Sequence, residues 1–253
     1  MRWNNRAQRL GFLLAAVILL CLRISAVPQT SAAPPQAAPG PAVPQAQTTV
    51  PVPAPAPPVP VILIDPAHGG TEYGAVLGPD NLEKDVTLAF ARRLRQDLVS
   101  RGVQVRLLRD SDALLSTDQR AVVANTSRPS LYLCIHATSQ GSGVRIYSAM
   151  LSNTNGDRGP FIAWQAAQAS AISRSRSLQQ QLTAAIQKTR FPVRSLTAPV
   201  QPLNNIVAPA IAIELAPASG QASQLATADY QNMVSAVLAN AITSIRPRLE
   251  TGQ

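Results

Sequence analysis

The 253-residue chain contains two histidines, His68 and His136, and each stands at the carboxyl end of an apolar run. His68 comes three residues after "VILID" (61 to 65), and His136 directly follows "LYLCI" (131 to 135). Glutamate is nearly as scarce, with only Glu72, Glu83, Glu214 and Glu250. Glu214 closes the run "AIAIEL" (210 to 215), and Glu83 opens the amphipathic stretch that follows the His68 loop. Zinc takes imidazole nitrogen and carboxylate oxygen, and a hydrolytic zinc site uses three protein ligands with a fourth position for water. His68, Glu83 and His136 supply such a set for one Zn2+ ion, and Glu214 is then free to pass the water's proton to a leaving amine. The chemistry that follows is hydrolysis of an amide. Each piece has a plainer reading too. A histidine at a strand end often satisfies a turn, Glu83 suits the first turn of a helix dipole, and Glu214 suits pairing with an arginine. Joint placement favours the site.

These residues need elements to position them. "VILID", "VQVRLL" (103 to 108), "LYLCI", "VRIYSA" (144 to 149) and "AIAIEL" have strand length and are rich in β-branched residues. Between the first two, Glu83 to Arg101 sets Val86, Ala89, Phe90, Leu94 and Leu98 on one helical face and stops at Gly102. A final helical face carries Tyr230, Met233, Val234, Val237, Leu238, Ala241 and Ile245, and Pro247 ends it. Strands separated by helices predict an α/β fold: a single domain with a central, largely parallel twisted sheet flanked by helices on both faces. In such sheets ligands bind at the carboxyl ends of the strands, where both histidines stand. Asp65-Pro66 reads as turn chemistry. Gly69 and Gly70 are expected to allow close approach to the metal, and Gly74 a positive φ.

The remainder of the chain frames this domain. Residues 1–26 read as a signal peptide or membrane anchor: Arg2, Arg6 and Arg9 precede the apolar stretch from Leu10 to Leu22, which is short for a spanning helix. Left uncleaved, residues 10–22 would tether the protein to a membrane. Residues 27–60 hold twelve prolines among Ala, Gln and Val, and read as a Pro/Ala-rich disordered linker, either passive spacer or tether. The catalytic domain is then 61–253, and an exported location, periplasm or cell envelope, follows. The net charge of +9 falls to about +5 without the four arginines of the first segment. With aromatics at 4% and no basic cluster interleaved with them, nucleic-acid binding is excluded as the main role. With Cys21 in a removed or membrane-bound segment, Cys21 and Cys134 form no disulfide framework, and Cys134, inside "LYLCI", reads as a buried, inert thiol.

The ordered series "ILIDPAHGGTEYGA", "NLEKDV", "LLRDSDALLSTDQRAVVAN", "LYLCIHA" and "APAIAIEL" resembles the motifs of the zinc-dependent N-acetylmuramoyl-L-alanine amidases of type 3. The resemblance runs from Val61 to the C-terminus, with the region Ser148 to Arg190 poorly matched. It implies one zinc ion held by His68, Glu83 and His136, with Glu214 as the catalytic carboxylate. The substrate it implies is peptidoglycan, cut between N-acetylmuramic acid and L-alanine. The family has glycine where Ala67 stands, serine where Cys134 stands and asparagine where Thr138 stands. Arg109, Asp112, Arg120 and Asn125 match family positions, either as substrate contacts or as buried structural charges. Some relatives carry a helix that blocks the site until a partner removes it. Asp157 to Ser177 corresponds in position, and its plainer reading is a surface or sheet-covering helix. No activator protein is identifiable. Two alternatives share these features: a catalytically degenerate amidase-like protein that binds peptidoglycan, and a zinc peptidase acting on stem peptides.

Overall fold

The computed structural model describes residues 59–151, 163–217 and 221–250. The segments read as signal or anchor (1–26) and linker (27–60, apart from its last two residues) lie outside them, as does the beginning of the 157–177 stretch. In chain order the elements are β1 (Val61–Pro66), α1 (Glu83–Val99), β2 (Gln104–Leu107), α2 (Thr117–Ser127), β3 (Leu131–Ala137), β4 (Gly143–Ala149), α3 (Ile172–Gln187), β5 (Val193–Ala198), β6 (Ala210–Ala216), α4 (Ala228–Ser244) and α5 (Arg246–Glu250). Short 3-10 turns at Trp164–Ser170, Leu203–Asn205 and Ala222–Ala226 join some of them.

The strands form one six-stranded sheet in the order β2-β1-β3-β6-β4-β5. Neighbours are parallel except β4 and β6, which are antiparallel, so the expected largely parallel sheet is present with one reversal. The reversal has a simple cause. Only residues 138–142 join β3 to β4, and a parallel crossover needs a dozen residues or more. β6 then inserts between them and pairs with both.

Strand alternation divides the side chains between two cores. One face carries Ile62, Ile64, Leu131, Leu133, Ile135, Val144, Ile146, Ile211, Ile213 and Leu215, and packs against α1, α3 and α4. The other carries Leu63, Tyr132, Cys134, Ala210 and Ala212, and is covered by Ala121 and Ala124 of α2 and by Leu203 and Ile206. In α1 the buried face is Val86, Phe90, Ala91, Leu94 and Leu98; Ala89, assigned to it from the sequence, is exposed because Ala91 takes its place against the sheet. In α4, Tyr230, Val234, Leu238, Ala241 and Ile242 are buried, whereas Met233 is 44% exposed. α4 stops at Ser244, and Pro247 sits in the first turn of α5, where its missing N–H costs nothing. Gly102 takes φ +73° just beyond α1, as a helix stop requires.

Asp65-Pro66 is not a turn. Both residues complete β1, and Asp65 is fully buried, paired with the Arg120 guanidinium and the Tyr132 hydroxyl. Strand β3 also runs further than its apolar run suggests, so His136 is a strand residue, while Glu214 lies within β6 as the run "AIAIEL" placed it. The 157–177 stretch does not form one helix. Its described part is the 3-10 turn from Trp164 and then the start of α3, whose Leu178, Leu182 and Ile186 cover the sheet.

Candidate functional site

His68 follows β1 on a backbone with φ +61°, a left-handed conformation that a β-carbon disfavours. The surroundings impose it. Arg120 Nη2 donates to the His68 carbonyl at 2.7 Å, and Gly69 and Glu72 exchange backbone hydrogen bonds that close the loop. The Gly70 amide donates to Asp112 Oδ1 at 2.6 Å, while Lys84 Nζ donates to the Gly70 carbonyl at 2.9 Å and to Asp112 Oδ2 at 2.6 Å. Arg109, 4% exposed, donates to the carbonyls of Pro66, Ala67 and Lys84. Arg109, Asp112 and Arg120 thus all bond the main chain around His68. Asn125 likewise accepts from the Val207 amide and donates to the Asn205 carbonyl, fixing the approach to β6.

Glu83 is the first residue of α1, and its carboxylate lies between the two imidazoles. Oε2 is 3.2 Å from His68 Nε2 and Oε1 is 3.0 Å from His136 Nδ1. The amides of Ala75 and Ala137 donate to the same two oxygens at 2.9 and 3.0 Å. The imidazole rings meet edge to face with centroids 5.4 Å apart. Burial pushes the Glu83 carboxyl up, but the hydrogen bonds from His136, His68 and the Ala75 amide outweigh it and hold the pKa well below the usual carboxylate range. Burial pushes His136 down; Cys134 and Glu83 outweigh it, and its pKa stands well above the ordinary imidazole value.

One donor atom from each of His68, Glu83 and His136 falls within 4.8 Å of the others. Zinc bonds of about 2.0–2.2 Å at tetrahedral angles put donor atoms about 3.3 Å apart, and each imidazole nitrogen lies near that separation from one Glu83 oxygen, a different oxygen for each ring. Two imidazoles and one carboxylate, each oxygen steadied by a backbone amide, therefore fit a zinc ion.

The glycines divide this work differently from the expectation. A β-carbon at Gly74 would come within 2.7 Å of both Glu83 and His68, so Gly74, with φ +69°, admits the close approach. Gly69 and Gly70 instead face the backbone of Ala113 and Leu114.

Glu214 stands level with His136 in the β3–β6 register, on the same face of the sheet. The two line one cavity of about 270 Å3 with Tyr147, Val200 and Ala212. Arg145 Nη1 and the Tyr147 hydroxyl both donate to Glu214 Oε2, at 2.7 and 2.8 Å, and Oε1 has no hydrogen-bond partner among the described residues. The plainer reading of Glu214 as an arginine's partner is thus literally present, inside the cavity. Sequence reasoning missed Arg145 and Tyr147. The signal was their alternation with Val144 and Ile146 in β4, which puts both on the face of His136, but their meeting with Glu214 depends on the antiparallel register. Cys134 is buried at 1% exposure beneath His136, as expected of an inert thiol. Thr138 accepts from the Gln140 amide at 3.2 Å, which shapes the turn into β4.

A model of the family described as N-acetylmuramoyl-L-alanine amidase matches residues 62–244. A curated relative, N-acetylmuramoyl-L-alanine amidase AmiC of Escherichia coli, is 32% identical over 108 residues, which are 41% of this chain and 26% of the relative. The match thus spans about a quarter of that protein's length. Among solved structures, the amidase AmiC2 of Nostoc punctiforme superposes with a TM-score of 0.55 at 24% identity, covering 75% of this chain and 98% of that one. The catalytic domain of the amidase CwlV from Bacillus (Paenibacillus) polymyxa gives 0.54 at 24% identity, over 74% and 97%. Both likenesses establish the fold.

Proposed function

Since this chain belongs to the N-acetylmuramoyl-L-alanine amidase family, we propose that it is a zinc-dependent hydrolase that cuts the amide between N-acetylmuramic acid and L-alanine in peptidoglycan. The observation that carries this reading is the shared cavity of His136 and Glu214, set beside the convergence of His68, Glu83 and His136. His68, Glu83 and His136 are the residues that would hold the ion. When bound, zinc supplies Lewis acidity that polarises a carbonyl and lowers the pKa of water. The chain's own residues do the remainder. Arg145 and Tyr147 fix Glu214 through Oε2, so the opposite oxygen is the one that takes a proton from the attacking water and delivers it to the leaving alanine nitrogen. The bracing of the His68 loop by Arg109, Arg120 and Lys84 keeps that ligand in place without substrate, which is the preorganisation such sites require. In this reading residues 1–26 direct export, residues 27–60 space the hydrolytic domain away from the membrane, and peptidoglycan of the cell envelope is the partner.

The test is mass spectrometry of fragments released from cell-wall sacculi. Intact stem peptides with free L-alanine N-termini are expected, and Glu214→Gln, which keeps the shape but cannot take the proton, lowers their release by about 10²- to 10⁴-fold. Fragments cut within the stems would make the protein a peptidase. Binding to sacculi without products at full zinc content would make it a binding protein.

A further inference from the structure

A second cavity, of about 400 Å3, lies on the site's face of the sheet and is walled by Trp164, Asp118, Gln165, Gln201 and Asn205 among others. It adjoins the site of the candidate metal residues. Thr117 and Gln201 line both this cavity and a smaller one of about 80 Å3 that contains His68 and His136. Trp164 begins the 3-10 turn ahead of α3, is 41% exposed, and donates its indole N–H to Asp118 Oδ1 at 3.2 Å, which ties one edge of the ring to α2. Gln165, Gln201 and Asn205 add neutral amide side chains to the wall.

We propose that this cavity, with Trp164 as its platform, binds a pyranose ring of the glycan strand carrying N-acetyl and hydroxyl groups. The inference rests on the amidase reading and gives the substrate its direction across the site. A sugar ring has an apolar C–H face and a polar rim, and it is matched by an aromatic plane bordered by neutral amides and a carboxylate. The scissile amide is attached to the sugar through a lactyl ether, so a sugar must lie close to the reacting carbonyl. An acidic stem peptide fits this cavity poorly: Asp118 would repel it and no lysine or arginine is among the lining residues. Arg120 of the smaller cavity is engaged by Asp65 and by the Pro66 and His68 carbonyls, whereas the register His136, Glu214, Arg145 and Arg194 across β3, β6, β4 and β5 sets two cations on the other side of His136. The glycan therefore lies toward Trp164 and the peptide toward Arg145.

The chain has two tryptophans, so the full-length Trp3→Phe protein carries Trp164 as its only indole reporter. Titration with the N-acetylglucosamine tetramer is expected to change its emission to saturation, and a glucose tetramer without acetamido groups is not. In the otherwise unaltered chain, Trp164→Ala is expected to lower kcat/KM on N-acetylmuramoyl-L-alanyl stem peptide about tenfold, through KM. Cleavage of the same peptide capped by acetyl in place of the sugar should be unchanged, and Trp164→Phe, which keeps a ring, should retain most of the parent's value. An emission that never saturates, or equal loss on the sugar and acetyl substrates, overturns the proposal. If the unaltered protein cleaves neither substrate while the sugar titration saturates, the glycan site stands and the amidase reading falls.

Discussion

The two faces of the sheet are built from the same strands and obey different rules. In β6, Ile211, Ile213 and Leu215 point to the face under α1, α3 and α4, while Ala210, Ala212 and Glu214 point to the other. In β3, Leu131, Leu133 and Ile135 alternate with Tyr132, Cys134 and His136. The first face excludes water with branched aliphatic chains and needs no partner beyond the helices. The second uses small side chains to leave room, and it holds its polar groups by pairing each with another: Asp65 with Arg120 and Tyr132, His136 with Glu83 of α1, Glu214 with Arg145 and Tyr147. Period-2 alternation thus lets a strand stabilise with one set of residues and do chemistry with the other.

If that division is real, substitutions on the two faces separate stability from function. The largest stability loss is expected at Asp65→Asn. It leaves the Arg120 guanidinium buried beside a neutral group and should cost about 3–5 kcal/mol in urea unfolding. It should also reduce metal retention, because Arg120 holds the His68 carbonyl. Ile213→Ala, on the aliphatic face of the strand that carries Glu214, is expected to cost about 2–4 kcal/mol through cavity formation, with kcat and metal content of the folded protein unchanged. A kcat that falls with Ile213→Ala would mean that the faces are coupled. The smallest effect on stability belongs to Arg145→Met, whose side chain is 20% exposed. Its unfolding free energy should stay within about 1 kcal/mol of the parent. Its kcat should fall about tenfold, or about 1.4 kcal/mol in the barrier, with restoration toward the parent in Arg145→Lys.

This division also explains what could be read from the sequence. His68, Glu83, His136 and Glu214 stood out because His and Glu are rare here and sit next to strands, and the structure brings the first three together and sets Glu214 beside His136. The apolar face was legible because β-branched runs announce it. The reversal of β4 was also written in the chain, in the shortness of the 138–142 connection, but strand runs separated by helices drew attention to the parallel pattern instead. β5 was illegible: "VRSLTA" is mostly exposed and lacks an apolar period, since an edge strand with one neighbour needs none. Asp65-Pro66 was misread because Asp and Pro together are turn residues by propensity. Only the distant Arg120 and Tyr132, 55 and 67 residues away, make a buried aspartate tolerable in a strand. The roles of Arg145 and Tyr147 depend on register, which no local pattern carries.

The central claim is that His68, Glu83 and His136 together hold one zinc ion. Metal analysis of the purified full-length chain tests it most directly, comparing the parent with His136→Ala, whose fold is monitored by circular dichroism. The account predicts one equivalent of zinc in the parent and a stoichiometric loss in the variant at an unchanged fold. Equal zinc content in the two proteins would contradict it.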